Sequence, residues 1–218
     1  MTNDEYRMWN KNIKSKETLV VLSSPSGGGK TTICQRILKN HKDFICSVSA
    51  TTRERRRGEK QGKHYFFLSE ENFKRKIKKG EFVEWAWVHG KRYGTLKRIV
   101  EKTKNERKVA LFVLDVQGGR AFKKKYPESV LIFILPPSFE ELKKRLVHRG
   151  TENSEEMEQR LNTALKEIKF WSKYDYVVIN KNLSQTVESV EKIIESERFK
   201  STRFDYAGWK IFRMRNTG

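Results

Sequence analysis

The chain has 218 residues, with 47 lysines and arginines against 27 acidic residues and a formal net charge of +20. That length buries a full core, in one domain with insertions or in two small ones, and 36% hydrophobic with 34% charged residues is a globular balance with a heavily charged surface. No stretch approaches the ~20 apolar residues of a membrane span, the segment 1–17 has no apolar core or small-residue cleavage site, and Cys34 and Cys46 are too few for a disulfide framework or a metal cluster. A cytoplasmic protein with no membrane partner is expected. The positive charge alone is compatible with nucleic acid, anionic lipid or anionic small substrates, and no helix-turn-helix or RNA-binding signature accompanies it.

The first apolar run, Leu19-Val20-Val21-Leu22, leads into Ser24-Pro25-Ser26-Gly27-Gly28-Gly29-Lys30-Thr31 and then a helical pattern carrying Ile33, Ile37 and Leu38. Strand, glycine-rich turn and helix form the context of a phosphate-binding loop. Glycines let successive backbone N–H groups converge on one concavity, and the helix that starts there adds unpaired donors and the positive end of its dipole. The phosphate-binding stretch runs from Ser26 through Gly27, Gly28 and Gly29 to Lys30, Thr31 and Thr32. Lys30 would reach the outer phosphates of a nucleotide and the Thr31 hydroxyl would ligate Mg²⁺. A glycine-rich turn with an incidental lysine is the bland alternative, and Ser24 departs from the glycine that opens the strict pattern.

Further runs at 44–48, 109–114, 130–135 and 176–179 are short, nearly continuous and rich in Val, Ile and Phe, as parallel strands buried on both faces require. Helical patterns separate most of them. Ser138-Phe139-Glu140-Glu141 is a capping box leading into Leu142 and Leu146. A helix from Ser154 carries Met157, Leu161, Leu165, Ile168 and Trp171 as its apolar stripe, and a last one carries Val187, Val190, Ile193 and Ile194. Alternating strands and helices predict an open α/β sheet. Between 50 and 97 an arginine-rich loop precedes aromatic strands at Tyr65–Leu68 and Phe82–Trp85, with a helix between Ser69 and Gly80, which predicts a small α+β insertion. Trp85 and Trp87 are expected to pack against apolar neighbours, Cys34 and Cys46 to be small buried hydrophobes, and the four histidines (41, 64, 89 and 148) to have no metal or catalytic role. The aromatic and basic tail 201–218 is expected to pack on its own domain.

The ordered set Ser47-Val48-Ser49-Ala50-Thr51-Thr52-Arg53, Arg55-Arg56-Arg57-Gly58-Glu59, Gly62-Lys63-His64-Tyr65, Glu84-Trp85 and Arg92-Tyr93-Gly94-Thr95, taken with the loop at 24–31, resembles the guanylate kinase family from about Leu19 to about Glu195. The resemblance implies an α/β fold: a phosphate-loop NTPase-type parallel sheet flanked by helices, a small α+β GMP-binding insertion and a helical lid. It divides the chain into an N-terminal extension (1–17), core with the phosphate loop (18–50), GMP-binding domain (51–96), core (97–144), lid (145–162), core (163–200) and tail (201–218). It implies the reaction of ATP with GMP in the presence of Mg²⁺, with dGMP left open as a further acceptor, nucleic acid not expected as a partner, and the oligomeric state open. Position by position, Arg53, Arg56 and Tyr65 match ligands of the GMP phosphate, with Tyr93 completing the cluster and Glu59 supporting it. Ser49, Glu84 and Thr95 match the positions that read guanine, and Asp115 an acid near the base. Arg145, Arg149 and Arg160 match the lid and ATP-phosphate arginines, which with Lys30 and Arg53 form the catalytic set, and Asn180 matches an adenine-side position. Val113, where many relatives have a second acid, and Lys181-Asn182, in place of an acidic pair, depart from the family pattern. A guanylate-kinase-like module that binds proteins without catalysis is the alternative, and it usually lacks a working phosphate loop.

Chemistry supports several of these roles independently. Guanidinium forks suit a dianionic phosphate. Guanine presents N1–H and N2–H₂ side by side, and a carboxylate such as Glu84 has two acceptors to meet them.

Overall fold

The computed structural model describes residues 16–88, 90–147 and 154–203, with side chains of the last block from Glu158 onward. Two sheets organise it. The first is parallel and five-stranded, in the order β2-β7-β1-β8-β9, built from β1 (Thr18–Ser23), β2 (Ile45–Cys46), β7 (Val109–Val113), β8 (Val130–Leu135) and β9 (Tyr176–Ile179). The continuous apolar runs occupy these strands because helices cover both faces. Along β1, Val20 and Leu22 enter one core cluster with Ile33, Ile37, Val190 and Ile194. Leu19 and Val21 enter the other, with Phe112, Phe122 and Phe133. Each such side chain contributes about 1.5–3 kcal/mol through burial, so the central strand is fixed from both sides.

The helices are α1 (Lys30–Asn40), α2 (Glu70–Lys78), α3 (Lys97–Glu106), α4 (Val116–Lys125), α5 (Phe139–Val147), α6 (Ser154–Ile168) and α7 (Leu183–Arg198). Side-chain caps set several starts: Ser69 accepts from Asn72 N–H at α2, Asp115 from Gly118 N–H at α4, Ser138 from Glu141 N–H at α5, and Asn182 from Gln185 N–H at α7. The second sheet is four-stranded, in the order β4-β3-β6-β5, from β3 (Ala50–Thr51), β4 (Phe66–Phe67), β5 (Phe82–Val88) and β6 (Lys91–Leu96). It packs Phe73 of α2 on Phe82, with ring centroids 4.5 Å apart. A register shift between Phe82 and Glu84 interrupts its alternation. As a bulge does, it re-aims the strand: Phe82 enters the small core, Val83 the large one, and Glu84 turns into a cavity.

Two packing expectations fail. Beyond the shift, β5 alternates with Glu84, Ala86 and Val88 toward the cavity, which leaves Trp85 and Trp87 outward, 41% and 50% exposed. The Arg92 guanidinium lies over both indoles, at 5.1 and 4.3 Å. On α6, Leu165 is exposed and Ala164 is the buried residue, while Trp171 lies in a following 3₁₀ turn and is also exposed. The stripe runs one position off the expected register there, because α6 packs on α5 through Leu161, Ala164 and Ile168 against Leu142 and Leu146. The sequence expectations for Met157, for His89 and His148, and for the tail beyond Arg203 lie outside the described residues or side chains.

Candidate active site

The C-terminal ends of the parallel strands carry the site. Immediately after β1 the chain enters the loop at 24–31. Gly27 and Gly29 have positive φ (83° and 95°), a region that side-chain-bearing residues rarely occupy. Gly28 has a different reason: a Cβ there would lie 2.3 Å from Ser24 Oγ. Ser24 itself is fully buried and, with Arg107 the one described non-glycine residue at positive φ, keeps an ordinary backbone. Its carbonyl accepts from Lys30 Nζ at 2.7 Å and its hydroxyl lies 3.1 Å from the same ammonium. Helix α1 begins at Lys30 with no side-chain cap and no acid in its first turn, so no neighbouring side chain of its own first turn answers its leading N–H groups. Thr31 and Thr32 are exposed there.

A cavity of about 480 Å³ opens from this loop. Its far wall comes from the second sheet and the segments around it: Ser49, Arg53, Arg56, Tyr65, Glu84, Lys91 and Tyr93. Arg53 is held by Glu59, Nη2 to Oε1 at 2.7 Å, and donates from Nη1 to the Glu54 carbonyl at 2.6 Å. The other oxygen of Glu59 accepts from the Arg56 N–H at 2.8 Å. One carboxylate therefore ties the Arg53 guanidinium to the Arg56 backbone, and the Arg53 bond holds Glu59 below the usual carboxylate range. Arg53 also lies 5.3 Å from the centre of the Tyr65 ring, and Tyr65 meets Tyr93 edge-on at 6.0 Å. Arg55 and Arg57 are exposed and outside this arrangement.

Glu84 is 8% exposed, and its Oε1 has no hydrogen-bond partner among the described residues. It stands opposite Thr95 in the β5–β6 register. Burial pushes its carboxyl up to about 7, opposed in part by Thr95 and reinforced by the nearby Asp115 charge. Asp115, at the end of β7, lines the same cavity while its Oδ1 caps α4 through Gly118 N–H at 2.7 Å. A Cβ on Gly118 would come within 3.1 Å of Glu84 Oε2, so the glycine is what lets α4 approach that carboxylate.

Of the arginines expected in a lid, Arg160 lines the cavity from α6. Arg145 does not; it pairs with Glu141 one turn back, at 2.9 Å, and donates to the Asn180 carbonyl at 3.2 Å. Arg149 lies outside the described residues. The Asn180 side chain is spent on the loop: Nδ2 donates to the Gly28 carbonyl at 3.0 Å, and Oδ1 accepts from Thr186 at 3.2 Å. It braces the phosphate loop rather than standing open as a contact for a base. Sequence reasoning missed Glu167. Its Oε2 accepts from Ser26 N–H at 3.2 Å across 141 positions, and the side chain lines the cavity. Burial raises its carboxyl, opposed by Lys30. Lys91 was also missed; charge beside Arg92-Tyr93 was its only signal.

The guanylate kinase family pattern matches residues 16–197, most of the chain. The chain belongs to the guanylate kinase family. A guanylate kinase from Caldanaerobacter subterraneus is 47% identical over 191 residues, covering 88% of this chain and 93% of the relative. One from Thermotoga maritima is 44% identical over 204 residues, covering 89% and 99%. The crystal structure of the Anaplasma phagocytophilum guanylate kinase superposes with a TM-score of 0.77 at 35% identity, covering 90% of this chain and 94% of that one.

Within this kinase family the departures now have physical readings. Ser24 fills space that the absent Cβ of Gly28 leaves open. Val113 lines the cavity as an apolar neighbour of Asp115. Asn182 caps α7. Among the described residues there is no group of three or more His, Cys, Asp and Glu placed to hold a metal ion, and no helix long and apolar enough to cross a membrane. His41 stacks on Phe44 at 4.4 Å, and His64 accepts from Lys60 N–H at 2.8 Å, both away from the cavity.

Proposed function

We propose that this kinase transfers the γ-phosphoryl group of ATP to GMP, giving ADP and GDP in purine nucleotide metabolism, and that the second sheet with its arginine loop is the GMP-binding unit. The observation that carries the reading is the buried Glu84 carboxylate, with an unpartnered oxygen, in the same cavity as the phosphate loop. Ionised, it accepts from guanine N1–H and N2–H₂ together. Adenine offers an acceptor at N1 and would leave the carboxylate desolvated and unpaired, a mismatch that supports selectivity on the order of 10⁴. Ser49 and Thr95 complete the base side, with Asp115 beside it.

Arg53 and Arg56 bind the GMP phosphate with Tyr65 and Tyr93, and Glu59 holds the Arg53 guanidinium and the Arg56 backbone before GMP arrives. The loop N–H groups and Lys30 bind the ATP phosphates. A GMP phosphate oxygen forms a bond to the γ-phosphorus while the bond to the bridging oxygen breaks, and ADP leaves. The acceptor is already anionic, so no strong general base is required. The protein positions the two nucleotides and neutralises charge on the group in transfer, with Lys30 on one side and Arg53 on the other, and Arg160, Arg149 and Arg145 as the lid closes. Lid closure excludes water and limits wasteful ATP hydrolysis. The hydroxyl of Thr31, exposed at the start of α1, is a hard oxygen donor that would hold Mg²⁺, and the bound ion would supply further neutralisation of phosphate charge.

ADP formation from Mg²⁺-ATP with GMP, dGMP, AMP, UMP or no acceptor tests the reading, alongside Lys30→Ala. Turnover with GMP that is lost in the variant and poor with AMP is expected. Equal ADP without any acceptor would indicate a general NTPase, and no ADP at all would favour a binding module.

A further inference from the structure

The two cysteines of the 218-residue chain meet. Cys34 lies on α1 and Cys46 on β2, and their sulfurs are 3.2 Å apart. Both are free thiols. Cys34 is buried in the core cluster that α1 shares with β1 and α7, while Cys46 is half-buried at the edge strand of the parallel sheet. We propose that Cys34 and Cys46 are an oxidative modification site, at which a peroxide converts the thiol pair into a reversible intramolecular disulfide that staples the phosphate-loop helix to the edge strand. The sulfurs need to approach by only about 1 Å to reach the ~2.05 Å of a disulfide.

The asymmetry of the pair assigns the roles. The two sulfurs share one hydrogen-bond contact, which holds the Cys46 thiol below its ordinary range and, together with burial, pushes Cys34 up. Cys46 is also the more accessible of the two. Its thiolate attacks one peroxide oxygen, the O–O bond breaks, and the products are a sulfenic acid and hydroxide, which takes up a proton to become water. The Cys34 sulfur then attacks the sulfenic sulfur, loses its proton and displaces a second water. Two thiols and one hydrogen peroxide thus give one disulfide and two waters. Trapping by Cys34 stops oxidation at the reversible step, before the sulfinic acid that cellular thiols do not reduce.

The place matters for the site. Cys34 is four residues after Lys30, one helical turn into α1, and Cys46 is three residues before Ser49. The bond would join the helix that starts at the phosphate loop to the strand that leads to the far wall of the cavity. It closes a short loop, so the folded chain gains thermal stability by restricting the unfolded one, by roughly 5 °C or more for a chain of this size.

The test is mass spectrometry of the native protein after brief hydrogen peroxide treatment, with and without later dithiothreitol, on the parent chain, Cys34→Ala and Cys46→Ser. The parent should become about 2 Da lighter as a monomer, lose both titratable thiols and melt at higher temperature, and dithiothreitol should reverse all three. Cys34→Ala should instead become about 32 Da heavier, irreversibly, because the sulfenic acid is no longer trapped. Cys46→Ser should be unreactive while folded. A parent chain that gains oxygen like Cys34→Ala, forms intermolecular dimers, or reacts only once unfolded would overturn the proposal. None of these readouts depends on which nucleotide the kinase uses.

Discussion

Replacing Glu84 by Gln removes a charge that the folded chain holds at a cost. Burial raises the carboxyl from 4.5 to about 7, so its ionised fraction is about a quarter at pH 6.5 and about nine-tenths at pH 8. If only the ionised form accepts both guanine donors, the KM for GMP falls about fourfold between those pH values. The last proton of the GMP phosphate leaves near pH ~6, which adds a small slope of its own. The Glu84→Gln variant should show that small slope alone, on a KM raised about 10- to 100-fold by the mismatched amide. Stability supplies a second reading with the opposite sign. The folded-state pKa lies above the unfolded one, so between about pH 4.5 and 7 the native state holds the extra proton and the parent loses stability as pH rises. A rise from 4.5 to about 7 corresponds to about 3 kcal/mol at full ionisation. The substituted chain escapes that loss, so its melting temperature should pull ahead of the parent's as pH rises through this window. Initial-rate kinetics at saturating ATP and melting curves at matched pH measure both. A parent KM for GMP no steeper with pH than that of Glu84→Gln would refute the assignment.

Three further outcomes are expected. Gly28→Ala should cut turnover at least tenfold and lower the melting temperature, because the new methyl meets Ser24, while Ser24→Gly with Gly28→Ala should recover part of both, the Pro25 carbonyl at 3.1 Å remaining in the way; a double variant no better than Gly28→Ala refutes the pairing. Glu167→Ala leaves the Ser26 N–H without its acceptor and should lower the melting temperature of the nucleotide-free protein by a few degrees, with the KM for GMP unchanged; Glu167→Gln keeps an acceptor and should melt close to the parent, and a Glu167→Ala chain that melts with the parent refutes the contact. Arg53→Ala should raise the KM for GMP by at least about 100-fold, and Arg53→Lys should not restore it, since a single ammonium does not reproduce the fork that meets both Glu59 and the Glu54 carbonyl; full activity in the Arg53→Lys variant would count against that geometry.

What the sequence made legible follows from how local each signal is. The strands of the parallel sheet announce themselves because burial on both faces demands continuous apolar runs, and Ser69 and Ser138 start helices with hydroxyls that lie within three residues of their targets. The phosphate loop and Arg53-to-Glu59 are similarly compact. Glu167 was invisible because its partner is 141 residues away and the helix end that carries it ordinarily favours a cation. Trp85 and Trp87 were misread because the inner face of β5 lines a cavity instead of a core. There the usual rule inverts: the carboxylate turns in and the indoles turn out.

Helix α1 starts bare. Where α2, α4 and α7 each spend a side chain on their first amides, α1, like α3, has none, and it alone of these two opens at the phosphate loop. A nucleotide's phosphates would finish that turn, so part of the fold is left to be completed by the ligand. Saturating ligand at a hundred times its Kd adds about 2.7 kcal/mol to the native state, comparable to one well-buried side chain. The folded chain would then resist a protease better with nucleotide bound than without it.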